Sequence, residues 1–173
     1  MSIRDTAVIE EILRWWPMKV FEWGSGGSTI YFKDKAFSWI SIEHDPDWYR
    51  KIKKMGGNVF LEKKENYIHS LVPSSLIIVD GILREECMMR ALEEESLVIC
   101  HDARRWQYLP YVQKFPWNHK VGDDLFIMAS PTLSSEFSDR LLPFELRSSE
   151  STSYPWDATH GWGQSLEKAG FHL

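Results

Sequence analysis

Apolar positions along the first 129 residues follow two alternating rhythms. Ile9, Ile12, Leu13 and Trp16 fall at helical spacing, so positions from about 5 to 16 read as an amphipathic helix that Pro17 closes. Lys19–Trp23 is short and apolar apart from Glu22. Gly24-Ser25-Gly26-Gly27-Ser28 then breaks it, which leaves Ser28 or Thr29 to cap a second helix through Tyr31, Phe32 and Lys35. Positions 37–43 alternate and are rich in aromatic and β-branched residues, a strand pattern that ends in an acid. A helix opening at Asp45 or Pro46 follows, stopped by Gly56-Gly57, and a brief third strand spans 58–61. Leu76–Val79 and positions 96–100 are unbroken apolar runs, as a sheet covered on both faces requires. Between them Leu83, Cys87, Met88 and Leu92 supply a helical face.

Strands alternating with helices through residue 102 predict an α/β fold with a parallel, doubly wound sheet. The pattern changes beyond it. A short helix over 108–114 precedes two strands at 119–121 and 125–129, and Gly122-Asp123-Asp124 between them suits an antiparallel hairpin. Positions 130–173 are rich in serine and proline and read as an irregular extension of the domain formed by 1–129.

Composition narrows the function. The 173 residues suffice to bury a core without disulfides or a structural metal, and only Cys87 and Cys100 are present. A reducing, cytoplasmic setting is expected. Twenty Lys and Arg against 25 Asp and Glu give a net charge of −5, so nothing draws the chain as a whole to nucleic acid or anionic lipid. No run approaches the ~18 apolar residues of a membrane span, and the N-terminus does not read as a signal peptide. Nine Trp are many for this length. Trp15, Trp16 and Trp39 fall in core elements and Trp23 and Trp48 near the loops, whereas Trp106, Trp117, Trp156 and Trp162 fall later in the chain and read as a ligand-contact surface.

Ligands of an open parallel sheet bind outside the carboxyl ends of its strands. Four polar clusters fall there: Glu22 with the glycine loop, Glu43-His44-Asp45, Asp80-Gly81 and His101-Asp102. The loop departs from a dinucleotide fingerprint because Thr29 stands at the third glycine, and Glu22 would repel a pyrophosphate but suits an ammonium or sulfonium group. No Gly-Lys-Ser or Gly-Lys-Thr follows, which excludes a P-loop. Glu43 lies 21 residues beyond Glu22 at the next strand end, where an acid accepts from both ribose hydroxyls. A ribose with a cationic amino-acid arm describes S-adenosylmethionine.

The segments FEWGSGGSTIYF, SWISIEHDPDWYRKI, LIIVDGILREEC and LVICHDARRWQY resemble, in order and spacing, the class I S-adenosylmethionine-dependent methyltransferases, in particular a bacterial group with E-W-G-S-G-G-S-T and I-E-H-D-P-E-W-Y motifs. The resemblance covers about 5–129 and implies a Rossmann-like sheet, mostly parallel with an antiparallel terminal hairpin. It implies that Glu22, Gly24, Ser25 and Gly26 border the cofactor's methionine arm, that Ser28 belongs to the same cofactor site, that Glu43 holds the ribose, that His44 flanks the adenine and that Asp80 closes the site. Arg84, Arg104 and Tyr108 match recurrent positions after the fourth and fifth strands, and these arginines suit an anionic group on the acceptor.

Methyl transfer is an in-line displacement governed by positioning. A hydroxyl acceptor also needs a base, for which His101 is the candidate, with Asp80 and Asp102 beside it. The two acids could instead share a divalent cation, but Ala103 stands where a third ligand is usual, and no metal is favoured. The expected activity is O-methylation of a small molecule or saccharide. The alternative is a catalytically silent cofactor-binding or scaffold domain of the same fold.

Overall fold

The computed structural model describes residues 1–15, 18–102, 105–131 and 133. Helix α1 (Ile3–Trp15) begins earlier than apolar spacing alone predicts, because Ser2 and Asp5 cap it reciprocally. The Ser2 hydroxyl accepts from the Asp5 amide at 3.1 Å and the Asp5 carboxylate accepts from the Ser2 amide at 2.9 Å. Strand β1 (Lys19–Trp23), α2 (Gly27–Phe32), β2 (Ser38–Glu43), α3 (Pro46–Lys54) and β3 (Val59–Leu61) follow. The start of α2 differs from expectation: Gly26 occupies the cap position, and the Ser28 and Thr29 hydroxyls turn inward to a buried acid. Asp45 caps α3 through the amides of Asp47 and Trp48, with Pro46 in the first turn.

Strand β4 (Leu76–Val79), α4 (Arg84–Ala91) and β5 (Leu97–His101) continue the alternation, and α5 (Leu109–Val112) leads to β6 (Trp117–Val121) and β7 (Leu125–Ala129). The seven strands lie in the order β3-β2-β1-β4-β5-β7-β6, and only β7 and its pairings with β5 and β6 are antiparallel. This is the predicted doubly wound sheet with its terminal hairpin. Strand alternation sends Val20, Trp39, Ile78, Ile99 and Ile127 to one face, against α1 and Phe32 of α2. Phe21, Trp23, Ile77, Val79, Val98 and Met128 pack on the other face against Cys87, Met88 and Ala91 of α4. Each such side chain, removed fully from water, contributes about 2 kcal/mol, so the two faces together fix the strand register.

Two features of this topology bear on the site. Strand order reverses between β1 and β4, which puts a crevice at their carboxyl ends. Register also decides where the hairpin ends lie: Val121 and Leu125 pair beside His101, so the β6–β7 turn stands at the crevice end. Trp117 pairs with Ala129, itself opposite Leu97 at the start of β5, and so lies at the far end of the sheet. That removes Trp117 from the proposed acceptor surface; its ring instead lies 4.5 Å from that of His119. Trp156 and Trp162, with most of the 130–173 extension, fall outside the described residues. No described helix is long and apolar enough to cross a membrane.

Candidate functional site

The carboxyl ends of β1 and β4 meet backbone to backbone. The Gly24 amide donates to the Ile42 carbonyl at 2.9 Å and the Asp80 amide to the Trp23 carbonyl at 2.9 Å, extending the ladder by one step on each side. Gly24 has φ +92°, and a Cβ there would stand 2.6 Å from the Gly81 nitrogen and Cα. Only glycine combines that dihedral with that approach. A Cβ on Gly81 would in turn meet the Tyr67 hydroxyl at 2.1 Å. Tyr67, from a single 3-10 turn, is fully buried beneath the crossing, and its carbonyl accepts from the Trp23 indole at 2.8 Å. Gly26 is different, since a Cβ there would meet nothing within 4 Å: the loop's outer side is open.

Glu43 at the end of β2 brings three of the predicted ligand residues together. One carboxylate oxygen accepts from the Ser25 amide at 3.1 Å and the Ser25 hydroxyl at 2.9 Å. The other accepts from the amides of His44 and Asp45 at 2.8 and 3.0 Å. His44 Nδ1 lies 3.0 Å from that oxygen, and the His44 ring stands edge-on to Tyr67 with centroids 6.0 Å apart. The Trp48 indole donates to the Ser25 carbonyl, pinning the glycine loop to α3. An acid, a hydroxyl and an imidazole therefore gather beside the open side of Gly26, with the Glu43 carboxylate itself 4% exposed and both of its oxygens engaged by the loop and by the start of α3.

Glu22 is placed otherwise than the resemblance implies. It is 0% exposed, and alternation along β1 turns it beneath α2. Its carboxylate accepts from the hydroxyls of Ser28, Thr29 (2.6 Å) and Ser41 (2.5 Å) and from the Trp39 indole (2.9 Å). Burial pushes its carboxyl up to about 7, against the pull of these four donors. A group so enclosed cannot touch a methionine arm, so Glu22 and the 4%-exposed Ser28 support the loop from below.

Around β4 and β5, one guanidinium organises the site. Arg84, at the start of α4, donates to the carbonyls of Gly81 (2.9 Å), Asp80 (3.0 Å) and His101 (3.0 Å) and to the carboxylates of Asp80 (3.1 Å) and Asp102 (2.5 Å). These contacts spend its donors, so Arg84 is not the free anion-binding group that its position suggests, and its partners are not the neighbouring Glu85 and Glu86. Burial works against its charge, but Asp80 and Asp102 more than offset this and raise its pKa. Burial likewise lifts the Asp102 carboxyl, while Arg84, His101 and Arg105 outweigh it and hold Asp102 below the usual carboxylate range. The two described non-glycine residues with positive φ, Leu83 (+52°) and Asp102 (+64°), flank this clasp. Backbone strain of this kind costs about 1–3 kcal/mol and persists where surroundings over-determine it.

His101 Nδ1 lies 3.0 Å from the Asp80 carboxylate and 3.5 Å from that of Asp102, so Nδ1 is the nitrogen that donates to Asp80. Nε2 faces Asp5 across 4.0 Å. The sequence offered no sign of Asp5 beyond its place in the first turn of α1, yet it is fully buried and also accepts from the Asp123 and Asp124 amides at 2.9 and 3.1 Å, docking α1 on the β6–β7 turn. Ligand atoms of Asp80, His101 and Asp102 lie within 4.8 Å of one another, close enough to surround a cation. Arg84 already bonds both carboxylates, and with that positive charge in place the cluster does not fit a divalent ion. Tyr108 is 4% exposed and packs in the core with its ring 5.8 Å from the Arg84 guanidinium, while Arg104 lies outside the described residues. Both thiols are buried and raised, Cys100 to about 12, which leaves them protonated and inert near neutral pH.

No family model matches the chain, and no curated protein matches it. Among solved structures it is similar to a methyltransferase-like protein from Silicibacter pomeroyi, with a TM-score of 0.51 and 16% identity over 74% of this chain and 90% of that one. It is also similar to precorrin-6Y C5,15-methyltransferase from Geobacter metallireducens, with a TM-score of 0.49 and 15% identity over 70% and 84% of the two chains. At such identity the first likeness speaks for the fold, which is the Rossmann-like fold that it shares with that methyltransferase-like protein.

Proposed function

We propose that the chain is a cytoplasmic S-adenosylmethionine-dependent methyltransferase that O-methylates a small molecule or saccharide. The observation that carries this reading is the crossing of Gly24 over Gly81 at the β1–β4 reversal, with Glu43 beside it at the end of β2. When bound there, S-adenosylmethionine supplies an electrophilic methyl group for in-line transfer.

The chain's own residues do the rest. Glu43 exchanges its bonds to Ser25 for ribose hydroxyls, and Ser25 is released to the ligand's arm. His44 borders the base. Asp80 holds the His101 ring through Nδ1, and His101, set between Asp80 and Asp5, is the side chain assigned to take up the acceptor's proton. Arg84 holds Asp80 and Asp102 in place and helps to keep Asp102 ionised. Nucleic acid and membranes are not partners in this reading, in keeping with the net charge of −5.

The same clasp favours a second reading, a domain that binds the cofactor without turning it over, because Arg84 already occupies both acids beside His101. Calorimetric titration with S-adenosylmethionine, S-adenosylhomocysteine and NAD tests both. Binding of the first two and not of NAD is expected, and no binding of S-adenosylhomocysteine would overturn the cofactor assignment. A screen of hydroxyl acceptors with methyl-labelled cofactor then separates an enzyme from a silent domain.

A further inference from the structure

Glu22 is a buried carboxylate that the mechanism above does not use. Two strands and a helix converge on it: Ser28 and Thr29 from α2, Trp39 and Ser41 from β2, and Ile78 beside it in the β1–β4 register. None of these carries a charge. The next carboxylate on that face, Glu43, is engaged by Ser25, His44 and Asp45, and the Tyr67 phenol packs on the opposite face of the sheet. Glu22 is therefore a titratable group enclosed by neutral donors.

Its bonds have a direction. Thr29 has one hydroxyl hydrogen, which goes to Glu22 at 2.6 Å, and a lone pair of the same oxygen accepts the Gly26 amide at 2.9 Å. The carboxylate thus reaches the backbone of the glycine loop through a single side chain. Ionised, Glu22 accepts from all four partners. Protonated, it must donate to one of the three hydroxyls, and the hydrogen that hydroxyl had given must turn to a neighbouring oxygen, as the Ser41 hydroxyl can towards Thr29 Oγ1 at 3.2 Å, the oxygen that also accepts the Gly26 amide.

We propose that Glu22 is a positioning residue that sets the glycine loop through Thr29 and Gly26, so that the loop's affinity for an adenosine-bearing ligand follows the charge on Glu22. The proposal rests on the cofactor reading only for its ligand, and burial brings the titration into the neutral range, to about 7. As pH rises through that range Glu22 ionises, the network closes and affinity increases.

The experiment has two arms. In the first, S-adenosylhomocysteine is titrated calorimetrically between pH 6 and pH 8.5. Affinity of the unaltered chain is expected to rise about fivefold, about 1 kcal/mol by the usual conversion. Glu22→Gln should be weak and flat across the range, whereas His44→Gln should keep the pH profile. Thr29→Val should lose affinity and Thr29→Ser should recover it. In the second arm, which needs neither ligand nor variant, the Gly26 amide resonance is followed over the same range and is expected to shift with a midpoint near 7. A shifting amide in a chain that binds no S-adenosylhomocysteine supports the coupling and overturns only the cofactor reading. An amide that does not move, or affinity that is equally pH-dependent in Glu22→Gln, overturns the coupling.

Discussion

Gly24 and Gly81 approach so closely that a methyl group on Gly24 would fall 2.6 Å from the nitrogen and Cα of Gly81. Two loops that are 57 residues apart in sequence are therefore locked across the sheet reversal, with Tyr67 as the floor. The crossing gives the site its rigidity, since none of its partners can move without displacing backbone.

Gly24→Ala tests that lock. A left-handed dihedral costs an L-residue about 1–2 kcal/mol before any clash, so a loss of at least about 2 kcal/mol in chemical denaturation is expected, with ligand binding abolished. Gly26→Ala, facing open space, should keep stability within about 0.5 kcal/mol. Equal behaviour of the two variants would contradict the geometry.

Glu43→Ala removes the acceptor shared by Ser25, His44 and Asp45. Affinity for S-adenosylhomocysteine should fall about tenfold, about 1.4 kcal/mol, while adenine alone should lose less because the proposed mode of binding has the carboxylate meet the sugar. Calorimetry on the two ligands checks the difference.

Arg84→Lys keeps one charge but cannot reproduce a fork that reaches three carbonyls and two carboxylates. Asp80 and Asp102 are partly exposed, so water compensates in part, and a loss of about 2 kcal/mol is expected rather than the full cost of a buried unpaired acid. If Arg84→Lys were as stable as the unaltered chain by urea denaturation, the organising role would be wrong.

Asp5→Ala severs both the α1 cap and the docking of α1 on the hairpin turn. Loss of a cap costs about 1 kcal/mol, and leaving the Asp123 and Asp124 amides without their acceptor adds about as much again. The expected result is faster amide hydrogen exchange in both α1 and the 122–124 turn. Fraying of α1 alone would show that the contact does not couple them.

The pH dependence of stability follows from Glu22. Its folded-state carboxyl titrates at about 7 against 4.5 as the ordinary value, so its contribution is fully present below about 4.5 and is lost as pH rises through about 7. Relative to Glu22→Gln, the unaltered chain should lose about 3 kcal/mol between pH 4 and pH 8. The comparison cancels Asp102, Asp45 and Glu10, whose depressed carboxyls act in the opposite direction and only below their unfolded values. A difference that stays constant with pH would rule out a buried, titrating Glu22. The same ionisation that the loop uses is thus carried at a cost to the fold, a common balance at functional sites.

Much of this architecture is legible in the chain because its signals are local. Val20, Ile78 and Ile99 lie in runs that suit a sheet covered on both faces, Pro46 and Asp45 announce α3, and Gly122-Asp123-Asp124 announces the hairpin. Strand ends follow from these runs, so Glu43, Asp80 and His101 could be placed at one edge before any contact was known. What each of these side chains binds could not be read in this way. Glu22 and Glu43 look alike in sequence, both acids at strand ends and both buried, but one lies under α2 among hydroxyls and an indole and the other accepts from the backbone of the glycine loop and of the start of α3. Both side chains point to the same face, and the difference comes from where α2 settles over it.

Sequence by itself determined the α/β alternation, the glycine break after β1 and the ring of polar residues at the strand ends, because periodicity and turn chemistry act over a few residues. Tertiary structure alone decided that Arg84 is spent on Asp80 and Asp102, that Asp5 reaches His101 from the first turn of the chain, and that Trp117 lies at the far end of the sheet from the site. Those outcomes depend on register and on which loops cross. They are set by the competition of every donor and carboxylate for partners once water has been removed, a balance that no local pattern records.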